Sequence, residues 1–389
     1  MGPLSYCGAA MQRHVELDWL RGLMLVLMTI THLPTWFSNA LGQPFGFVSA
    51  AEGFVFLSAF LVGRVFGGVA REQGFAAMRT VVWRRAVKIY VAHAALLLFL
   101  LFALLPVAIS KNAHGIIDLA SFYVAHPSAA LAGGLMLVYN PPLLDILPMY
   151  VLFMAASPLL LHHGMRKGWT GLLAGSITLW VLAQFDAGRI VYQALARVTG
   201  LPVPYNQTGA FSFLAWQLMW VLGMCAGTRS AGVVRRAARW PLALLVAAGV
   251  VALTFFVWRH VDGQVPASSA LATLTDKWHL APLRLLDFGA LALIVVRMRD
   301  VIAAHAQRSA LATLGKASLP VFCAHLVICL GALAVVQEPG ARLQWIDSVL
   351  LGGALVVLYG AALAYLAGRR LAHSTPAFSA PRPAPRTAR

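Results

Sequence analysis

Apolar runs of about twenty residues recur along this chain, and they restrict its possible folds more than any other feature. A helix needs about 20 apolar residues to cross the hydrocarbon core of a bilayer, because each residue advances it by about 1.5 Å. The shorter, alternating segments typical of a transmembrane barrel are not seen in the sequence. With 60% hydrophobic and only 11% charged residues among 389, the chain is predicted to be an all-α, polytopic integral membrane protein.

The apolar windows predict about ten transmembrane helices. The predicted spans are residues 17–37, 46–69, 86–109, 147–162, 169–185, 211–227, 241–258, 282–296, 317–336 and 346–367. Residues 112–145 contain a further apolar stretch, LAGGLMLVYNPPLL, which we expect to lie on the periplasmic side or in a re-entrant segment. A full crossing there would move every later loop to the opposite side and remove most of the charge asymmetry between the two sides.

Lysine and arginine are distributed unequally between the two sides of this predicted bundle. With the N-terminus inside, most of the 30 basic residues fall in inner loops, as the positive-inside rule requires. We therefore predict that both termini are cytoplasmic, with an N-terminal segment 1–16, a transmembrane domain 17–368 and a disordered basic tail 369–389. Because the basic residues lie in loops between spans, the net charge of +17 indicates membrane topology rather than nucleic-acid binding.

The four cysteines show no metal-ligand spacing, and three of them lie in apolar spans. They are Cys7, Cys225, Cys323 and Cys329. Buried cysteine of this kind behaves as a small apolar residue. We therefore expect packing residues without a structural disulfide, and we predict no metal site.

Arg21 and His32 lie on one stripe of the first predicted helix. At about 100° per residue their separation amounts to three turns and about 20°, with a rise of about 16 Å. The arginine is thus expected near the inner surface and the histidine deep in the membrane. An ionisable residue at that depth is costly and indicates function, and histidine exchanges protons near neutral pH. We predict that His32 is a general base.

Two acidic residues accompany this stripe. Glu52 lies in the second span among small residues, and we predict that it orients His32, since a carboxylate beside a histidine is typical of a general base. Asp18 precedes Arg21 by three residues, which allows a helical ion pair, and we predict that both belong to the catalytic site with His32 and Glu52. Two structural alternatives remain: Asp18 and Arg21 anchor the helix at the membrane surface, and His32 bonds a backbone carbonyl freed by Pro34.

A basic cluster follows the second span, in the sequence VAREQGFAAMRTVVWRRAVKIY. Arginine and lysine are the usual partners of phosphate groups, so this cluster predicts a site for a phosphorylated donor. The predicted donor-binding residues are Arg79, Arg84, Arg85 and Lys88. The alternative is that these residues only set the topology.

Polar and aromatic residues gather at the predicted outer ends of several spans. Aromatic rings stack on apolar faces of sugars while polar groups bond their hydroxyls, so this surface is predicted to bind a carbohydrate. The predicted substrate-binding residues are Asp145, Asn206, Trp216, Gln217, Trp278, His279, Arg284 and Asp287. An interfacial aromatic belt is the alternative, although Gln217 and Asp287 lie too deep for it. His325 is expected to be structural rather than catalytic.

Several of these stretches resemble the OpgC family, whose members are inner-membrane enzymes that succinylate osmoregulated periplasmic glucans. The stretches ELDWLRG, TITHLP, SAAEGFVFLSAFLVG, DILPMY, AWQLMWVLG and LGKASLPVFCAHL occur in the same order from about Glu16 to His325. The spacing of Arg21 and His32 is similar to the motif of the wider membrane acyltransferase-three-like superfamily. One departure is Ala59, where the family pattern has glycine.

The resemblance implies an O-succinyltransferase of the bacterial inner membrane. Its donor would be cytoplasmic succinyl-CoA, a substrate rather than a tightly bound cofactor, and its acceptor would be the hydroxyls of a periplasmic β-glucan. In the superfamily the motif histidine is taken as essential, and here that residue is His32. A succinyl group carries a carboxylate, so its pocket should hold a cation, for which Arg284 is a candidate.

Other functions are compatible with the same residues. The glucan hydroxyl can attack directly or after a covalent acyl-histidine step. An O-acyltransferase for another cell-envelope glycan would use the same donor, whereas a proton-coupled transporter of glucan or acyl groups would use His32 and Glu52 as a proton relay. Inner-membrane lipid is an expected partner, nucleic acid is not, and the oligomeric state stays open, a homodimer included.

Overall fold

The computed structural model describes residues 14–237, 239–261, 270–335 and 344–374, and every regular element in these ranges is a helix. Cys7, most of the predicted N-terminal segment and residues 375–389 of the predicted tail lie outside the described residues. The three described cysteines are free, and Cys225 and Cys329 are buried.

Twenty α-helices, numbered in chain order, occur in the described residues. The first ten are α1 Val15–His32, α2 Phe37–Leu41, α3 Ala50–Leu61, α4 Gly67–Leu98, α5 Leu105–Ser110, α6 His114–Leu119, α7 Ser121–Ala125, α8 Pro127–Leu135, α9 Ile146–Lys167 and α10 Thr170–Ala183. The others are α11 Ala187–Thr199, α12 Phe213–Thr228, α13 Ser230–Ala237, α14 Leu242–Val261, α15 Ala270–Thr275, α16 Pro282–Arg297, α17 Arg299–Ala306, α18 Ala310–Lys316, α19 Ser318–Val335 and α20 Gln344–Ser374. Shorter turns are the π-helical Val62–Phe66 and Phe99–Leu104 and the 3-10 turn Tyr205–Gln207.

The length and composition of its helices indicate that this chain is a membrane protein. Among the described residues, the helical stretches long and apolar enough to cross a bilayer are Ala50–Ser110, Ile146–Lys167, Leu242–Val261, Ser318–Val335 and Trp345–Ala372. The first contains the predicted third span and most of the second, separated at Gly74, where the backbone leaves the helical region with a φ of 85°. The remaining predicted spans overlap α1, α10, α12 and α16, which are shorter or more polar. The count of ten and the side of each terminus stay predictions.

The first helix ends at His32, earlier than the predicted end at residue 37. A proline disfavours the helical conformation in the residue before it, and Leu33, which precedes Pro34, is extended with a φ of −73° and a ψ of 132°. His32 therefore lies in the last turn of α1, where the helix breaks. After the short helix α2, the next long helix, α3, begins with Ser49 as its N-cap.

Close packing of α1 on α18 positions Arg21. Gly22 faces the backbone carbonyl of Leu311, and Gly315 faces that of Asp18, so a side chain at either glycine would overlap the opposing helix. Small residues permit such close approach between helices in a membrane. Because α19 begins directly after this contact, its Ser318 lies beside Arg21 and accepts a hydrogen bond from that guanidinium.

Two predicted segments have local structure of their own. Residues 112–145 contain the short helices α6 to α8, of which the longest has nine residues, too few to cross a bilayer alone. Whether this segment enters the membrane stays a prediction. At the other end, α20 continues to Ser374, beyond the predicted boundary at residue 368. The first proline after residue 368 is Pro376, so no proline interrupts the helix in residues 369–374.

Candidate active site

His32 pairs with His325 across the contact between α1 and α19. Nδ1 of His32 lies 3.2 Å from Nε2 of His325, and the two rings stack with centroids 5.4 Å apart. His325 is fully buried, whereas His32 is partly exposed. A substrate can therefore reach His32 but not its partner. The bond to His325 also replaces the predicted alternative in which His32 bonds a carbonyl freed by Pro34.

The hydrogen bonds of this pair determine where its protons lie. Nδ1 of His325 lies 2.7 Å from the carbonyl oxygen of Phe322, which can only accept, so Nδ1 carries a proton. A buried charge is costly, so we assign His325 as neutral, with a lone pair on Nε2. Nδ1 of His32 then donates to that lone pair, and Nε2 of a neutral His32 keeps its own. This is the tautomer that a general base or a nucleophile requires.

Glu52 has partners other than His32, so the predicted pairing of these two residues is wrong. Oε1 of Glu52 accepts hydrogen bonds from Nε and Nη2 of Arg284 at 2.9 and 2.6 Å, and both side chains are almost completely buried. Oε2 accepts from the amide and the hydroxyl of Ser49 at 3.0 and 2.5 Å, which forms a capping box at the start of α3. Glu52 therefore joins α3 to α16.

The same ion pair changes the expectation for Arg284. Its Nη1 donates to the backbone carbonyl of Thr275 at 3.2 Å, while Nε and Nη2 are bonded to Glu52. With its charge balanced and three of its nitrogens in use, Arg284 does not offer a free cation to a substrate carboxylate. The structure thus gives no support to the prediction that Arg284 binds the succinyl carboxylate.

A narrow cavity of about 30 Å³ lies on the Arg21 side of the histidine pair. Its lining includes Arg21, Arg85, Phe54 and Phe322. Along α19, Phe322 lies between Ser318, which contacts Arg21, and His325. The Phe322 ring stacks on that of Phe54 with centroids 5.7 Å apart, and it packs edge-on against the ring of His325 with centroids 4.8 Å apart. Two aromatic rings thus separate the arginines from the histidines.

The predicted donor-binding residues are divided between this cavity and the surface. Arg85 lines the cavity, whereas Arg79, Arg84 and Lys88 are exposed on α4. Arg84 and Lys88 are four residues apart and share one stripe of the helix next to Arg85. Asp18 is buried one turn before Arg21 on α1. Two cations thus line the cavity: Arg85 from the predicted donor-binding cluster, and Arg21 from the stripe of α1 that it shares with His32.

Two of the predicted sugar-binding residues, Trp216 and Trp278, meet around Phe211. The ring of Phe211 makes edge contacts with both indoles, at centroid distances of 4.8 and 5.4 Å. Nε1 of Trp216 donates to the carbonyl of Trp278 at 3.1 Å. Trp216 is fully buried, whereas Trp278 is 42% exposed. Trp278 is therefore the indole of this pair that a sugar can stack on, and Trp216 supports it from below.

Lys277 lies beside these rings, although its sequence context marked it only as an outer-loop residue. Its Nζ lies 5.7 Å from the centroid of Phe211 and 5.0 Å from that of Trp278. Burial lowers the pKa of Lys277, and the carboxylate of Glu52 opposes that effect. Lys277 therefore belongs to the same aromatic surface as Phe211 and Trp278.

Asp145 and Asn206 lie at the same end of the bundle, which is the predicted outer end. Oδ2 of Asp145 accepts a hydrogen bond from the amide of Ala210 at 3.1 Å. Burial raises the pKa of Asp145 to about 6, and the bond from Ala210 opposes the increase. Asn206 is exposed in the 3-10 turn. Asp145 thus holds the loop before α12, while Asn206 is accessible to a ligand.

His279 holds the turn that carries Lys277. Its Nδ1 lies 2.6 Å from Oδ2 of Asp276, and its Nε2 lies 3.5 Å from Oδ1 of Asp186. The hydrogen bond to Asp276 raises the pKa of His279, and burial opposes it. Both imidazole nitrogens thus face carboxylates of the protein, which favours a structural role over the predicted contact with substrate.

Gln217 and Asp287 also act within the fold rather than at the site. Gln217 accepts a hydrogen bond from the hydroxyl of Ser176 at 2.6 Å and donates to its carbonyl at 2.8 Å, which ties α12 to α10. Oδ2 of the fully buried Asp287 accepts from the amides of Phe47 and Val48 at 2.9 and 3.3 Å. These contacts explain why Gln217 and Asp287 are polar although they lie deeper than an interfacial aromatic belt.

A larger cavity of about 520 Å³ lies between α1, α3 and α16 and is lined mainly by apolar side chains. It is on another side of α1, and none of Arg21, His32 and Lys277 lines it. Its size therefore does not mark it as the place of proton transfer. The small cavity with two arginines has the more suitable chemistry for a charged donor.

His325 and Lys277 are the members of the site whose roles the sequence did not indicate. His325 is visible in the sequence as a histidine within an apolar span, but its partner depends on the packing of α19 against α1. For Lys277 the available signal was its position between Asp276 and Trp278 in an outer loop. A cation flanked by an acid and an aromatic residue is common at membrane surfaces, so this signal is weak.

Comparison with known proteins identifies one family. A family model described as OpgC protein matches residues 13–370, which is nearly the whole chain. No curated protein and no solved structure matches.

Proposed function

Because the chain belongs to the OpgC family, we propose that it transfers a succinyl group from cytoplasmic succinyl-CoA to hydroxyls of a periplasmic β-glucan in the bacterial inner membrane. Membership of this family supports a membrane acyltransferase-like role in glucan modification. The donor, the acyl group and the catalytic role of His32 are the parts that we add.

The contact between Nδ1 of His32 and Nε2 of His325 is the observation that carries this proposal, because the tautomers assigned from it leave a lone pair on Nε2 of His32. In the proposed reaction Nε2 accepts the proton of a glucan hydroxyl while its oxygen attacks the thioester carbonyl. A new C–O bond forms, the C–S bond breaks, and the proton moves from Nε2 to the departing thiolate. His325 keeps the imidazole of His32 in the required orientation throughout, through the bond to Nδ1.

The cavity with Arg21 and Arg85 supports a donor that arrives from the cytoplasmic side. In this proposal Arg85, with Arg84, Arg79 and Lys88 on the surface nearby, binds the phosphates of succinyl-CoA. The thioester arm then extends toward His32 past Phe54 and Phe322, whose rings have to separate to admit it. Arg21 is about 16 Å from His32 along α1, a distance that suits an extended arm rather than direct contact.

On the outer side, the glucan is proposed to stack on Trp278 and to bond Asn206 and Asp145, which lie at the same outer end. This arrangement allows donor and acceptor to approach His32 from opposite sides of the membrane. The net reaction is the same by two routes: the hydroxyl attacks the thioester with His32 as general base, or Nε2 of His32 first takes the acyl group, releases the thiol and then passes the acyl group to the hydroxyl.

Mass spectrometry of periplasmic glucans tests this proposal most directly. Cells with the wild-type protein should contain glucans heavier by whole succinyl groups, and His32→Ala should remove them, since a general base contributes about 10²- to 10⁴-fold. His163→Ala is the matched control, because His163 is exposed on α9. Unchanged succinylation by a His32→Ala variant present at normal levels would refute the role of His32. Another acyl mass or another acylated glycan would redirect the proposal to that substrate.

The transporter alternative has less support from the geometry. A proton relay would require His32 and Glu52 to exchange protons, but in the described residues each is bonded to a different partner. Calorimetric titration of the purified protein with succinyl-CoA separates the two functions. The acyltransferase should show saturable binding, whereas absence of binding would favour a transporter.

A further inference from the structure

Among the described residues, Lys277 is a cation whose ammonium group lies against aromatic rings rather than in an ion pair. No hydrogen bond or ion pair joins its ammonium group to another of the described residues, and its neighbours there are the faces of Phe211 and Trp278. Arg284 and Glu52 are bonded to each other, and the described contact of the Asp145 carboxylate is the amide of Ala210. Within the described residues, the ammonium group of Lys277 thus keeps donors for a ligand, whereas the nitrogens of Arg284 are bonded within the protein.

The turn that carries Lys277 is held rigidly from several directions. The side chains of Trp180 and Gln184 on α10 donate to the carbonyls of Leu280 and His279, at 2.9 and 2.8 Å. From α12, Trp216 donates to the carbonyl of Trp278. On the other side of Lys277, Arg284 donates to the carbonyl of Thr275. These bonds fix the backbone of the turn before any ligand arrives, which reduces the entropy cost of binding.

Lys277 lies at the end of the bundle where α3 begins, because Arg284, which is bonded to Glu52, also donates to the carbonyl of Thr275, two residues before Lys277. This position suits an anion that approaches His32, where α1 ends. The phosphates of a CoA donor would remain with Arg85 on the cytoplasmic side, and an unmodified glucan is neutral. The free carboxylate of a dicarboxylic acyl group is then the anion expected beyond the thioester carbonyl, two methylene groups further along the chain.

We propose that Lys277 binds the free carboxylate of the succinyl group while the thioester carbonyl lies at His32. This inference rests on the proposed function and assigns the residue that makes the site selective for a dicarboxylic acyl group. The rings of Phe211 and Trp278 provide apolar surface beside the ammonium group, suited to the two methylene groups of the acyl chain. Lys277 replaces Arg284, whose charge is already balanced by Glu52.

Competition between two donors tests the assignment in full-length protein. Succinyl-CoA and butyryl-CoA have acyl chains of equal length, but only the first has the carboxylate. For wild type, kcat/KM for transfer to glucan should be higher with succinyl-CoA. In Lys277→Met it should fall about 10- to 100-fold with succinyl-CoA, the usual effect of losing a charged hydrogen bond, and stay constant with butyryl-CoA. Lys277→Arg should retain the preference, and Lys111→Met, which changes an exposed lysine, should match wild type.

The outcomes separate this inference from the proposed function. If wild type succinylates glucan and Lys277→Met keeps its preference for succinyl-CoA, Lys277 does not bind the carboxylate. An equal loss with both donors would also overturn the inference, because it would assign Lys277 a role independent of the carboxylate. If wild type transfers neither acyl group, the proposed function itself fails. Should Lys277→Met be absent from the membrane, loss of preference in Lys277→Arg would overturn the inference by itself.

Discussion

Nδ1 of His32 lies 3.2 Å from Nε2 of His325, and this contact joins the last turn of α1 to the middle of α19. Nδ1 of His325 in turn donates its proton to a hydrogen bond with the carbonyl of Phe322, so only Nε2 of His325 is left to accept from His32. The consequence is that His32 presents an unprotonated Nε2 to a substrate. A pair of histidines therefore takes the place of the histidine and carboxylate that the sequence suggested.

Replacing His325 should slow the reaction without weakening the binding of substrates. In His325→Ala we expect kcat to fall about 10- to 100-fold, part of the effect of a general base, because His32 loses the acceptor that orients it. KM for succinyl-CoA should stay nearly constant. His325→Gln should recover part of the activity, since its amide can donate to the carbonyl of Phe322 and accept from His32. Steady-state kinetics measure all three values, and equal activity of the two variants would contradict this role.

The ion pair between Glu52 and Arg284 should matter for stability. Glu52→Gln leaves the buried guanidinium without its counter-charge, which typically costs 3–5 kcal/mol. The double variant Glu52→Gln with Arg284→Met removes both charges and should be more stable than Glu52→Gln alone. Thermal unfolding in detergent measures the difference, with Asp118→Asn, an exposed position, as the control. A Glu52→Gln variant as stable as wild type but inactive would instead indicate a catalytic carboxylate.

Arg85 and Arg84 should differ in their effects on the donor. Arg85 lines the cavity beside Arg21, so Arg85→Ala should raise KM for succinyl-CoA about 10- to 100-fold through loss of a charged hydrogen bond. Arg84 is exposed, so Arg84→Ala should have a smaller effect that decreases further at high salt. The comparison uses KM for succinyl-CoA at a fixed glucan concentration. Equal effects of both variants would mean that only the overall positive charge of this surface matters.

The turn that carries Lys277 should lose stability as the pH rises. The hydrogen bond to Asp276 raises the pKa of His279 in the folded protein. A raised folded pKa means that the stabilising contribution is complete below the unfolded pKa and is lost as the pH rises through the folded value. The difference in Tm between wild type and His279→Gln should therefore be larger near about pH 5.5 than near about pH 9. His163→Gln, at an exposed site, should show no such trend, and a constant difference for His279→Gln would refute this prediction.

Much of the architecture follows from local sequence. Each helix of α9, α14 and α19 coincides with a predicted span to within a few residues, because the apolar character that favours burial in lipid lies within the segment itself. The end of α1 was predicted too late because the local effect of Pro34 outweighs the apolar residues that follow it. The resemblance to the OpgC family is likewise a property of ordered local motifs, and the match to residues 13–370 confirms it.

By itself, the sequence determined that this is a helical membrane protein of the OpgC family and that His32 is a rare ionisable residue within a span. Only the tertiary structure decided the partners of the polar residues: His325 for His32, 293 residues away, and Arg284 for Glu52, 232 residues away. Spacing along a helix predicts which side chains share a face, but contacts between helices depend on how their surfaces pack. For the same reason the sequence did not show that the charge of Arg284 is balanced by Glu52, because this ion pair forms only where α16 meets α3.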